Sequence, residues 1–333
     1  MLILSNIPNT MNNDKKIIGL RNLGNTCYLN SILQCLYYTE DFTSFITRTD
    51  LTLNSKTDNT IIKSYLPVIR AMNVSEKTIA PVSFVRNFIS KFNYSYEQQD
   101  SNDALIALLD ELHESLSRKV KMIHSTDNEK VLRSKIEWID FFEKKYSEII
   151  PLFYGQLNSK ITCKCSHNTE RYDPFNILQC EIPTTKNEIS LDNCLDLFFN
   201  NEDISDYRCD SCSKKKTSNK KILIKRTPNH LIIQLKRFIF HNRKSVKYQN
   251  KINCPLNLDI DKYVDNDNEY KKTKYELYGI VNHIGSMSGG HYYAFCKTPS
   301  KKWICFNDAS VKPLQDESKI ITQYAYILFY KKV

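Results

Sequence analysis

A change of hydrophobic period near Pro151 constrains this chain more than any other feature. Before it, apolar residues recur at helical spacing: Leu29, Ile32, Leu33 and Leu36; Val85, Phe88, Ile89 and Phe92; Leu105, Leu108, Leu109, Leu112 and Leu116. The spacing predicts helices over residues 27–38, 82–92 and 101–116, and a charged but still periodic one over 132–150. Asn25 or Thr26 is a suitable cap for the first. Beyond Pro151, short runs rich in β-branched and aromatic residues predict strands at 222–224, 231–238, 275–281, 291–296 and 324–330. One helix, over 191–199 behind the cap Ser190, interrupts them. Residues 265–274 read as a loop, and residues 1–16, without periodicity, as an N-terminal tail. Helices first and strands second predict an α+β fold, not alternating α/β.

The length of 333 residues is about two domains' worth of chain, and 41% hydrophobic residues mark a globular composition. No apolar run is long enough to cross a bilayer, and no secretion signal stands at the start. The expectation is an intracellular protein, cytoplasmic or nuclear, with no membrane partner. A net charge of +10 would suit an anionic partner if the basic residues clustered. The densest runs, Lys214–Lys216 with Lys220 and Lys221, and Lys244 with Lys247, are short and read as solvated loops, so no nucleic-acid partner is expected. Eleven cysteines, an odd number in so long a chain, read as reduced thiols with separate tasks.

Only seven residues are glycine, and five of these bracket one cysteine and one histidine. Gly19 and Gly24 approach Cys27; Gly285, Gly289 and Gly290 precede His291. A nucleophilic cysteine reacts as its thiolate, and the unpaired N–H groups of a helix's first turn favour that anion. Cys27 is so placed, whereas Cys35 falls on the apolar face and reads as a buried inert thiol. His291, following Gly-Gly at the start of an apolar strand, has its ring at a strand mouth. Asn307 or Asp308 could orient that ring, completing a Cys-His-Asn/Asp arrangement. The backbone N–H of Cys27 is a candidate oxyanion donor, and Asn22 by itself reads as a turn-forming residue. Cys209-Asp210-Ser211-Cys212 is a knuckle, and Cys163-Lys164-Cys165 supplies two more thiols, which together suggest a structural tetrahedral zinc. The first pair is one residue short of C-x-x-C, so His167 could replace one ligand. Cys180, Cys194, Cys254, Cys296 and Cys305 read as core.

The segment from Gly19 to Ser31 resembles the cysteine box of the ubiquitin-specific proteases, papain-like deubiquitinating enzymes. Gly289 to Phe295 resembles their histidine box and Trp303 to Val311 their third catalytic block. Gln98-Gln99-Asp100 is similar to their QQD box, and Leu235-Lys236-Arg237-Phe238 to their strand ending in Arg-Phe. The likeness covers about residues 17–331, which would form one catalytic domain with thumb, palm and fingers subregions. It implies Cys27 as nucleophile, His291 as base, Asn307 as third member with Asp308 as the alternative or an electrostatic support, and the Asn22 amide as second oxyanion donor. Asp100, with Glu97 nearby, would meet the arginine-rich ubiquitin tail. Gly289 and Gly290 would wall a groove too narrow for larger side chains, under Tyr292 as an aromatic lid. Asn102-Asp103 stands where the family usually has Glu. The cysteine pairs match the family's zinc pairs at the fingertip.

The expected function is a deubiquitinating protease that binds ubiquitin and ubiquitinated proteins, as a monomer, with structural zinc and no catalytic cofactor. No appended recruiting domain is expected. The alternatives are a protease for another ubiquitin-like modifier, a non-catalytic ubiquitin-binding scaffold, and a zinc-knuckle nucleic-acid binder.

Overall fold

Helix Cys27–Tyr37 buries every one of its eleven residues, so it lies inside the protein rather than along a surface. The computed structural model describes residues 15–95, 97–120, 129–143, 145–183, 188–213, 215–241, 244–266, 272–286 and 289–333. Most of the expected tail lies outside these residues, as does the middle of the expected loop at 265–274. The chain forms two compact units. One holds the chain through Ser115 with Phe240–Lys247 and Tyr278–Tyr326; the other holds Leu116–Ile239, Tyr248–Leu277 and Ile327–Val333.

In the first unit the cysteine helix is joined by helices Glu40–Ile46, Thr60–Val74, Val82–Lys91 and Ser101–Leu116. Strand Gly290–Lys297 is antiparallel to Lys274–Gly285 on one side, with Ile284 opposite His291, and to Trp303–Asn307 on the other. Strand Ser310–Leu314 completes that edge. The cysteine helix packs on this sheet: the Cys35 and Cys296 sulfurs lie 3.9 Å apart, and the Tyr38 and Phe306 rings 5.3 Å. Helix and sheet thereby carry Cys27 and His291 within one core.

The second unit contains a four-stranded antiparallel sheet in the order Asn168–Phe175, Gly155–Cys163, Lys215–Arg226, Glu202–Arg208. Residues Ile327 to Lys331 pair antiparallel with strand His230–Lys236, which runs parallel to Ile177–Glu181. Helix Leu191–Phe198 starts at a capping box in which the Asn193 N–H donates to Ser190 Oγ at 3.3 Å and the Ser190 N–H to Asn193 Oδ1 at 3.2 Å. The expected helix over 132–150 is corrected. It runs Glu129–Phe141, and a separate short helix covers Ile149–Phe153. Glu143 adopts a left-handed φ of 50°, which ends the helix, and Lys145–Tyr146 then pairs with Arg118–Lys119. Among the described residues, no helix is long and apolar enough to cross a membrane.

Candidate active site

The loop before Cys27 is folded by its own polar side chains. Gly24 (φ 101°) and Asn25 (φ 52°) take left-handed conformations that swing the chain into the helix. Inside this turn Asn22 Oδ1 accepts from the Gly24 N–H at 3.0 Å and the Thr26 N–H at 3.1 Å. Thr26 occupies the N-cap position, but its hydroxyl accepts from the Leu23 N–H at 2.9 Å and donates to Asn22 Oδ1 at 3.3 Å. No side chain caps the helix, contrary to the expected cap at Asn25 or Thr26. The first-turn N–H groups are left for what arrives at Cys27.

His291 hydrogen-bonds Cys27, and its Nε2 lies 2.6 Å from Asn307 Oδ1. The Cys27 hydrogen bond is the largest influence on the imidazole. Together with the Asn307 contact and the Cys27 and Asp308 charges, it overcomes burial and pushes the pKa up to about 9. Cys27 is only 3% exposed, whereas the His291 side chain is 39% exposed, so the base opens the pair to solvent.

Asp308 is the hub of the surrounding network. Its φ is 51°, in the turn between strands Trp303–Asn307 and Ser310–Leu314. Oδ2 accepts from Asn22 Nδ2 at 3.0 Å and Oδ1 from Asn30 Nδ2 at 2.8 Å, while its carbonyl accepts from the Leu20 N–H at 2.9 Å. Its distance to His291 Nε2 is 3.9 Å, so Asn307 is the nearer partner of the ring. Asn22 is thus held from both ends of its amide, with one N–H on Asp308 and the other still to give. Residue-by-residue reading of the sequence missed Asn30, which is 2% exposed. The available signal was a polar residue in a largely apolar helix, three positions after Cys27.

The groove residues fall differently from expectation. Asp100 Oδ2 accepts from the Tyr326 hydroxyl at 2.6 Å, and Oδ1 from the Asn102 N–H at 2.6 Å. It therefore caps helix Ser101–Leu116, and burial raises its pKa. Tyr292 is 5% exposed, its ring 4.4 Å from that of His283, so it packs in the core and forms no lid. A Cβ on Gly290 would come within 2.1 Å of His283 Nε2, whereas one on Gly289 would meet nothing within 4 Å. The tight fit at Gly290 is against the protein itself, and Gly289 faces open space. Gln98 grips Gly290 by both backbone groups, donating to its carbonyl at 2.5 Å and accepting from its N–H.

In the second unit the sulfurs of Cys163, Cys165, Cys209 and Cys212 lie within 4.8 Å of one another, a grouping that could hold a metal ion. Cys163 and Cys212 are 4.0 Å apart, Cys165 and Cys209 3.6 Å. The backbone N–H of Cys165 pulls the Cys163 thiol down to about 7. His167 is outside this group; its carbonyl accepts from the Cys163 N–H at 2.9 Å, which corrects its reading as a substitute ligand. Of the cysteines read as core, Cys180, Cys194, Cys254 and Cys296 are buried and Cys305 is half-buried.

Compared with known proteins, residues 18–330 match the family described as ubiquitin carboxyl-terminal hydrolase. The chain belongs to this family. Among curated hydrolases of the family, it is 35% identical over 332 residues to Usp2 of Drosophila melanogaster, covering 95% of this chain and 35% of that protein. It is 33% identical over 342 residues to ubiquitin carboxyl-terminal hydrolase 2 of Bos taurus, covering 95% of this chain and 55% of that one. The chain thus spans about a third to just over half the length of these relatives. A solved structure described as the SAGA DUB module of Ubp8, Sgf11, Sus1 and Sgf73 bound to monoubiquitin superposes with a TM-score of 0.77 at 26% identity, covering 100% of this chain and 72% of that one. The same module bound to ubiquitin aldehyde gives 0.74 at 25% identity, covering 97% and 71%. The mixture of helices and sheets is that of the hydrolase family's α+β fold.

Proposed function

We propose that this chain is a thiol-dependent deubiquitinase that cleaves the bond after the C-terminal glycine of ubiquitin on protein lysines or ubiquitin chains. The observation that carries the reading is His291 set against Asn307 at 2.6 Å with Cys27 the strongest influence on its imidazole, and the Asn22 amide fixed on Asp308. His291 takes the proton of Cys27, and the sulfur attacks the glycine carbonyl. The Asn22 amide and the Cys27 N–H receive the oxyanion. An imidazole with a pKa near 9 holds its proton at neutral pH, ready to protonate the departing lysine amine. The acyl thioester is then hydrolysed by water activated by the same ring. Asn307 orients the imidazole and Asp308 orients Asn22. Asp100 holds the start of the helix beside the groove for the ubiquitin tail.

The four-cysteine cluster is proposed to hold structural zinc. A Zn–S distance of about 2.3 Å in a tetrahedron places sulfurs about 3.8 Å apart, which the 3.6 and 4.0 Å separations fit. All eleven cysteines are free thiols, which suits a reducing intracellular compartment. The proposed state is a monomer; light scattering of the purified chain giving twice the mass of one chain would reject that.

The test of the function is reaction with ubiquitin bearing a C-terminal electrophile, run beside the same probe built on other ubiquitin-like modifiers. A covalent adduct on Cys27 with the ubiquitin probe is expected, together with hydrolysis of a ubiquitin C-terminal fluorogenic amide that Cys27→Ala abolishes. Adduct formation only with another modifier, or undiminished turnover by Cys27→Ala, overturns it.

A further inference from the structure

The hairpin that delivers His291 is gripped by a side chain that the mechanism above does not use. Lys247, at the end of strand Lys244–Lys247, donates to the His283 carbonyl at 2.7 Å and the Gly285 carbonyl at 3.0 Å, and its Nζ lies 3.0 Å from His283 Nδ1. An ammonium has three donors and no acceptor. Facing a group that can only donate, Nδ1 must be the bare nitrogen, which leaves the ring proton on Nε2. Burial, then the charges of Lys247 and His291, push the His283 pKa down to about 4, so the ring is neutral. Among the described groups facing it are Lys247, His291 and the rings of Tyr292, at 4.4 Å, and Tyr326, at 6.2 Å. Its Nε2 occupies the space a Gly290 side chain would need, 2.1 Å from the position of a Cβ. Gly290 pairs with Gly285 across the hairpin and immediately precedes His291. Gln98 holds the same glycine by its N–H and carbonyl.

We propose that Lys247 and His283 are a positioning pair for His291. Lys247 fixes the tautomer and seat of His283. The neutral ring then sets the depth of the Gly290 backbone, so that the next imidazole reaches Cys27 and Asn307 together. Neutrality matters because a second imidazolium there would repel the one His291 must carry. The inference rests on the deubiquitinase reading and adds the residues that hold its base in place.

The experiment has two arms. In the first, kcat and KM for the ubiquitin fluorogenic amide are measured for the wild type and Lys247→Met. A misplaced base lowers kcat by about tenfold or more with KM within about twofold. In the second, nitrogen NMR of the wild-type chain reports the His283 tautomer. The expected result is a proton on Nε2 and no titration above about pH 5. A kcat within about twofold of wild type, a loss confined to KM, or a His283 protonated on Nδ1 or titrating near its ordinary 6.5 overturns the pair. The second arm decides even if the variant does not fold. Should the wild type show no turnover at all, the deubiquitinase reading fails, while the NMR arm still judges the Lys247–His283 geometry.

Discussion

Cys27 and Cys209 are both buried, at 3% and 0% exposure, yet what surrounds each sulfur differs in kind. Cys27 opens an uncapped helix beside an imidazole whose pKa stands near 9. Cys209 lies among three further sulfurs, all within 4.8 Å of one another. Charge on the first sulfur is answered by an imidazolium and N–H groups of the chain. Charge on four clustered sulfurs would be answered by the zinc proposed to sit among them, which would tie the second site to stability. On the proposed roles, the same residue type would serve chemistry in one unit and architecture in the other, according to what it can share a proton or a metal with.

Exchanging the two losses gives the largest effects. Cys27→Ala abolishes turnover and leaves the melting temperature close to wild type. Cys209→Ser, or a strong chelator, releases the bound zinc and lowers the melting temperature by about 5 °C or more, with faster hydrogen exchange in strands Gly155–Cys163 and Lys215–Arg226. Cys209→Ser protein that keeps its zinc and melts like wild type would remove the contrast. Next in size, Asn22→Ala costs about 10²–10³ in kcat by deleting an oxyanion donor. Asp308→Ala costs less, because the Gly24 and Thr26 N–H groups still hold the Asn22 amide oxygen. The reverse order in measured kcat would make Asp308 the partner of His291 itself.

A smaller effect separates Asn307 from both. Its acceptor 2.6 Å from the ring helps lift the His291 pKa from the ordinary 6.5 to about 9. A raised pKa favours the protonated form. The stabilisation it gives the fold is therefore complete below about 6.5 and lost as pH rises through about 9. The leaving amine needs the same proton, so activity falls on that alkaline limb. Asn307→Ala lowers the pKa and moves the limb to lower pH in a kcat/KM profile; a limb that does not move would show that Asn307 leaves the ring's charge untouched.

How much of this was legible in the sequence follows from which forces write themselves locally. Helix Ser101–Leu116 has the bounds its leucine spacing gives, since an apolar stripe on a helix needs no distant partner to be read. Helix Thr60–Val74 has a comparable stripe but went unread, because Pro67 interrupts it. Pro67 lies on the exposed face, where the hydrogen bond it forfeits can be replaced by water. Strands Gly155–Cys163 and Asn168–Phe175 were unread because half-buried residues on both faces blur the two-residue alternation. In the active site, Cys27 and His291 were marked by their glycines and by family likeness. The Asn30–Asp308 contact and the Gln98–Gly290 contact join residues far apart in the chain. Such pairings have no local signature and emerge only with the fold.

The smallest predicted effect tests whether the C-x-C pair, one residue short of C-x-x-C, completes the proposed zinc site without a further ligand. Both cysteine turns close on a left-handed serine, Ser166 at φ 66° and Ser213 at φ 55°. The Ser166 N–H returns to the Cys163 carbonyl at 2.8 Å, and the Ser213 N–H to the Cys209 carbonyl at 2.8 Å. The first turn spans one residue fewer, yet ends in the same conformation. It brings Cys165 within 3.6 Å of Cys209, and His167 stays outside the group of four sulfurs. His167 supports the turn through its backbone, its carbonyl accepting from the Cys163 N–H and its N–H acting on the Cys165 sulfur, groups that any residue other than proline provides. His167→Ala therefore leaves the zinc content per chain unchanged in elemental analysis, whereas Cys165→Ser lowers it. A fall in zinc on His167→Ala comparable to that of Cys165→Ser would place the imidazole among the ligands after all, and the two serine turns would no longer be equivalent.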